Sequence, residues 1–309
     1  LTAVRIVFFA AGGPFAVTAL QAIAAEHDIA GVVRPRDALP LWKKPARSLA
    51  RLARLRHRDD VGEWTHDRGI VAVQAGREDV EALAGWLDRI APDLICIATF
   101  PCLLPDAILT IPRYGVLNLH PSLLPRHRGP NPLFWTYYCD DTHGGVTVHV
   151  ATRLADAGPM LGQEAIAIPR GWPSSELYLA ASRSGAALLR DAVSQLERGT
   201  ARPREQDDRL GTKAPRVRLG TPMVPYTEWD VERVWHFLAG LHPWYAEPVR
   251  SPEGTLVRYG NVIGFERCTP GGTPGTADPA PFGWQLWCRD GYVRLGRRRR
   301  LPQRVPAAS

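Results

Sequence analysis

The spacing of apolar positions changes along the chain, and each change marks an element. Val4-Arg-Ile-Val-Phe-Phe-Ala is a nearly continuous apolar run halted by Gly12-Gly13-Pro14. Such a run predicts a strand buried on both faces, followed by a turn. Residues 15–26 then repeat at helical spacing, and 29–33 is a second apolar run. Strand, glycine turn, helix, strand is how a parallel α/β sheet opens. The same reading predicts a helix over 79–90, a buried strand over 94–99, a loop over 100–105 and a strand over 115–119. A short helix over 131–139, strands over 147–152 and 161–168, and a long helix begun by Ser174 follow.

Around 199–220 the composition turns to Arg, Asp, Gly and Pro, and the periodicity fades. That predicts a linker and a division into 1–200, a linker over 201–222, and a second domain over 223–309. The second part holds a helix over 230–241, with Val231, Val234, Trp235 and Leu238 on one face. Short β-like stretches over 255–259, 262–266, 284–288 and 292–295 come next, interrupted by a Gly/Pro/Thr loop over 270–281. No internal repeat is present.

Composition narrows the possibilities only modestly. With 309 residues, 45% of them hydrophobic, two cored domains are expected. The net charge of +7 permits a polyanionic partner without requiring one. The stretch 34–58, which includes Arg34, Lys43, Lys44 and Arg58, is opposed by few acids. It reads either as a solvated surface helix with a Leu49, Leu52, Leu55 stripe or as a phosphate-contacting arm. Five scattered cysteines at no redox or zinc spacing point to free thiols and a cytoplasmic protein. No apolar segment reaches membrane-spanning length, so no membrane partner is expected. Gly12-Gly13 lacks the third glycine and downstream acid of a dinucleotide site, which argues against a nicotinamide cofactor.

The candidate chemistry sits mid-chain. Asn118 and His120 are two apart on a predicted strand, so both side chains leave on one face. Asp156 follows in Leu154-Ala-Asp156-Ala-Gly158. An amide that donates to an oxyanion, an imidazole that moves a proton and a carboxylate that orients the ring suit acyl transfer to an amine. His127 and His143 read as packing or surface residues, as does His149, whose place on a strand also allows it to line the crevice, and no set of metal-ligand spacing is seen.

The string Asn118-x-His120-x-Ser122-Leu123-Leu124-Pro125, then Arg128-Gly129, then Asp156-x-Gly158, resembles the formyltransferases that use 10-formyltetrahydrofolate. Arg5-Ile-Val-Phe-Phe, Phe15-Ala-Val, Pro92-Asp-Leu-Ile, Leu103-Leu-Pro, Lys213-Ala-Pro-Arg and His242-Pro-Trp244 are similar to methionyl-tRNA formyltransferases in particular. The resemblance implies an α/β fold: an N-terminal Rossmann-like formyltransferase domain with a mostly parallel sheet, then a small β-rich, open-barrel (OB-like) C-terminal domain. It implies Asn118, His120 and Asp156 as catalytic residues. It places 10-formyltetrahydrofolate, as formyl donor and with no metal, against Phe100, Cys102, Leu103, Leu104 and Pro105, with Ser122, Leu123 and Pro125 shaping the floor. Phe15, Lys43, Lys44 and Arg128 would meet the acceptor.

That acceptor is expected to be the methionyl amine of initiator tRNA. The alternative is a small amine, such as an amino sugar on a nucleotide carrier or a hydroxylated diamine. Departures at Arg153, Ala155 and Gly129-Pro-Asn-Pro bear on this choice. An RNA-binding protein that keeps the fold without activity is a third reading, opposed by the intact trio.

Overall fold

The computed structural model describes residues 4–36 and 60–298. Lys43, Lys44 and most of the basic stretch lie outside the described residues, as does the tail from 299.

The first unit holds residues up to 168 together with 175–216. Its sheet comprises β1 (Arg5–Ala10), β2 (Asp28–Pro35), β3 (Ala72–Ala75), β4 (Leu94–Ala98), β5 (Val116–His120), β6 (His143–Val150) and β7 (Met160–Ala167). The order is β3-β2-β1-β4-β5-β6-β7. Strands β1 to β5 pair in parallel, and β6 and β7 each run antiparallel to the strand before. Central β1 is buried from Ile6 to Ala10, as its uninterrupted apolar run requires. Sequence order reverses between β1 and β4, the place where open α/β sheets hold ligands beyond their strand ends. There the Thr99 hydroxyl donates to the Gly12 carbonyl, 3.4 Å away.

Alternate strand residues feed two cores. Ile6, Phe8, Leu94, Cys96, Leu117, Leu119, Val146 and Val148 face α1 (Pro14–Ala24) and the long helix Ser174–Glu197. Val7, Phe9, Ile95, Ile97 and Val116 pack with Leu83, Leu87, Leu104 and Ile108. This second core stops at β5, where the same face turns polar with Asn118, His120, Thr147 and His149. The turn before α1 needs glycine, because Gly12 and Gly13 have φ of 104° and 85°.

Residues 169–174 and those from 217 onward form the second unit. It contains the helix Val231–Leu241, N-capped by Asp230, whose carboxylate accepts from the Arg233 backbone N–H. Its sheet is antiparallel, in the order β8 (Tyr259–Arg267), β11 (Gly291–Arg297), β10 (Gly283–Cys288), β9 (Ala277–Ala280).

Several expectations need correction. β6 begins at His143, four residues earlier than read, because Gly144 and Gly145 continue the ladder against β7. β9 lies inside the stretch read as a loop, and residues 255–258 form no strand beyond a bridge at Leu256. The predicted linker divides: through 216 it belongs with the first unit. Among the described residues no helix is long and apolar enough to cross a membrane.

Candidate active site

β5 brings Asn118 and His120 out on one face, and antiparallel β6 sets His149 directly opposite Asn118 and Thr147 opposite His120. Asp156 enters from the β6–β7 loop with φ of 52°. One Asp156 oxygen lies 3.5 Å from His120 Nδ1 and accepts from Asn118 Nδ2 at 3.1 Å. The other accepts the Gly129 backbone N–H at 2.8 Å. Three segments of chain therefore converge on one carboxylate.

The neighbouring glycines explain two motif positions. A Cβ on Gly158 would lie 2.0 Å from the Val150 carbonyl, so nothing larger lets the Asp156 loop turn back onto β6. A Cβ on Gly129 would stand 2.8 Å from the Ala214 carbonyl, at a φ of 124°. The intervening loop is pinned from below. Thr147 donates to the Ser122 carbonyl at 2.7 Å, and Gln163 donates to the Leu124 carbonyl at 2.8 Å.

The electrostatics follow from burial and neighbours. His120 is buried with Nε2 3.0 Å from the His127 carbonyl, so both ring nitrogens face acceptors. Burial lowers its pKa from the ordinary histidine value; Asp156 and the His127 carbonyl oppose the shift without cancelling it. The ring is thus neutral near pH 7 and framed to hold a proton that arrives. Burial would raise Asp156, but the imidazoles of His120 and His149 and the Gly129 N–H outweigh it and hold the carboxyl at about 2.

His149, read from sequence as a packing or surface residue that could also line the crevice, belongs to this cluster. Its Nδ1 faces the Val150 carbonyl at 2.9 Å, which leaves Nε2 to accept from Asn118 at 3.0 Å. The available signal was polar Thr147 and His149 two apart among valines, the same pattern that singled out Asn118 and His120. Both hydrogens of the Asn118 amide are consequently engaged, one by Asp156 and one by His149. His127 is also more than a surface residue: it is buried, and its Nε2 lies 2.6 Å from Asp141.

The predicted folate loop divides by depth. Phe100 packs edge-on against Phe9 and Leu104 is buried in the second core, so these two anchor the loop. Leu103 is 60% exposed, Pro105 is exposed and Cys102 is partly exposed, leaving them available to a ligand. Since β4 and β5 are parallel neighbours, this loop and the Asn118–His120 end emerge at the same edge of the sheet. Leu123 packs over Gly145, and half-exposed Pro125 closes the turn.

Three expected site residues have partners inside the protein. Phe15 is fully buried and stacked on Tyr178, turned into the first core. Ser122 is buried and donates to the Arg126 carbonyl, making it a turn residue. Arg128 is held by Gln206 and Asp208, which occupies the guanidinium expected to contact substrate.

The sequence profile of the family described as Formyl transferase matches residues 4–193, and the chain belongs to that family. It is 33% identical to the methionyl-tRNA formyltransferase of Syntrophus aciditrophicus over 209 residues, 68% of this chain and 66% of the relative. Against the methionyl-tRNA formyltransferase of Acidobacterium capsulatum the identity is 32% over 233 residues, 74% of this chain and 71% of the relative. Among solved structures, the sugar 3N-formyl transferase WlaRD aligns with a TM-score of 0.63 at 15% identity, covering 96% of this chain and 98% of that one. Glycinamide ribonucleotide transformylase 1 from Symbiobacterium toebii aligns at 0.52 and 23% identity, over 66% of this chain and 95% of its own. At these identities the structural likenesses establish the fold.

Proposed function

We propose that the chain transfers a formyl group from 10-formyltetrahydrofolate to a primary amine. The observation that carries this reading is the His120 ring, buried between the Asp156 carboxylate and the His127 carbonyl. The neutral amine attacks the formyl carbon, and Asn118 releases one chain acceptor to donate its N–H to the developing oxyanion. His120 takes the proton from the amine and returns it to the folate nitrogen as that carbon–nitrogen bond breaks. Asp156 stabilises the transient imidazolium. Leu103, Cys102 and Pro105 cover the donor where the β4 and β5 ends meet.

The methionyl amine of initiator tRNA is the acceptor favoured by the relatives' printed activity. One observation favours a small amine without phosphates, such as a hydroxylated diamine, instead. Arg126, Arg128 and Arg153, on the loops flanking the cluster, pair with Asp141, Asp208 and Asp106 and are not held ready for phosphates. Formyl transfer to charged initiator tRNA, run beside amino-sugar nucleotides and hydroxylated diamines, decides between them. Turnover on tRNA should fall steeply with salt, whereas a small amine should show little dependence. Transfer to neither acceptor would overturn the reading.

A further inference from the structure

We infer that Gln206, on the segment after the long helix, is a positioning residue for Asp156, clamping that loop to the loop bearing Gly129. Its Nε2 donates to the backbone carbonyls of Asp156 at 2.9 Å and of Gly158 at 2.8 Å. Its Oε1 accepts from Arg128 Nε at 3.0 Å and from a terminal guanidinium nitrogen at 2.8 Å. Both amide hydrogens and the carbonyl oxygen are therefore used, and the orientation is forced. A flipped amide would set oxygen against two carbonyls and N–H groups against a cation.

The clamp sits on a fixed strap. Arg204 and Met160 exchange backbone hydrogen bonds, 2.8 Å each, at one end. Further along, the Arg128 N–H donates to the Thr212 carbonyl at 2.9 Å, the Ala214 N–H donates to the Arg128 carbonyl at 2.6 Å, and the His127 N–H donates to the Thr212 hydroxyl at 2.8 Å. The strap thus touches the loop whose Gly129 N–H binds the Asp156 carboxylate and whose His127 carbonyl faces His120. Gln206 touches no reacting atom in this arrangement. It acts through Asp156, whose left-handed φ of 52° is uncommon outside glycine, though Asp tolerates it, and is held here by the contacts of its loop. The same contacts give Arg128 its use: it orients Gln206.

The inference rests on the formyl-transfer reading, and two measurements keep their failures apart. The first needs no substrate: NMR titration of the Asp156 carboxyl and the His120 ring in the full chain. The groups facing them are His149, Asn118, the Gly129 N–H, and the carbonyl and imidazole of His127. In Gln206→Ala the carboxylate should drift from His120 and Gly129. Asp156 should then titrate higher and His120 lower, each by about one pH unit, as loss of a close opposite charge requires. The second is steady-state formyl transfer. Gln206→Ala should lower kcat about 10- to 100-fold with KM changed less than about threefold, the scale of an ångström of misplacement. Gln206→Glu should be as impaired, since its carboxylate still accepts from Arg128 but has no hydrogens for the two carbonyls. It also carries both measurements if the alanine variant does not fold. Unshifted titrations in a folded variant, or wild-type kcat in Gln206→Glu, would overturn the inference. A wild-type protein that transfers formyl to no amine defeats the functional reading alone, and the titrations still judge Gln206.

Discussion

Asp156 and Glu247 are both largely withdrawn from water, and they are shifted in opposite directions. Asp156, in the first unit, is held at about 2. Glu247, in the second, is raised above the ordinary glutamate value. Both are well hydrogen-bonded: Glu247 accepts from the Met223 and Val224 backbone N–H groups at 3.0 and 3.2 Å and from the Tyr245 hydroxyl at 2.5 Å. Burial is the largest influence on each and raises both. The difference is that Asp156 has two imidazoles beside it, whereas the groups that oppose burial at Glu247 are the neutral donors Tyr245, Met223 and Val224. Dipoles alone do not offset desolvation here; groups that can carry positive charge do. One site keeps a usable charge, and the other is a buried structural tie.

The largest effects should come from the first site. His120→Ala and Asp156→Asn should each lower kcat by about 100- to 10,000-fold, the range for a lost proton carrier or its partner. Both variants should remain folded, with Asp156→Asn giving up the stability that the ionised carboxylate contributes. Transfer within about tenfold of wild type in either would erase the contrast with Glu247.

Glu247→Ala should do the reverse. It strands two backbone N–H groups, so urea denaturation should register a loss of about 2–4 kcal/mol, while formyl transfer to a small amine stays unchanged. A stable variant would mean that Glu247 is no tie at all. Smaller still, His149→Leu should slow transfer about tenfold by freeing one Asn118 hydrogen and letting the amide turn.

The pH dependences sharpen the comparison further. Transfer should persist on acidification below pH 6.5, because the His120 pKa is lowered, and Asp156→Asn should move the midpoint lower again by removing the charge that supports the imidazolium. Stability should respond with opposite signs. The folded pKa of Asp156 lies below its unfolded value, so its contribution is present above about 3.8 and is lost as pH falls towards 2. The folded pKa of Glu247 lies above its unfolded value, so its ionised form costs stability at neutral pH, and the fold gains as pH falls through the raised pKa towards 4.5. Urea midpoints measured across pH 4–7 should lose that gain in Glu247→Gln.

Local chemistry made much of this legible from the residues alone. The period of two in a strand places Asn118 and His120 on one face, and uninterrupted apolar runs mark β1, ended by Gly12-Gly13, and β4, ended by Thr99-Phe100-Pro101, because a strand buried on both faces leaves no other pattern. Tertiary closure decided the rest. Asn118 and His149 are 31 residues apart and meet only because β6 pairs antiparallel to β5 in one register, which a one-residue slip would undo. Phe15 sits at the start of a helix beside a glycine turn, and only its packing against Tyr178 turns it inward. Arg128 reads as a free cation until a segment some eighty residues later folds back to hold it. A chain states which side chains share a face; which faces meet is settled when distant segments bury their surfaces against one another.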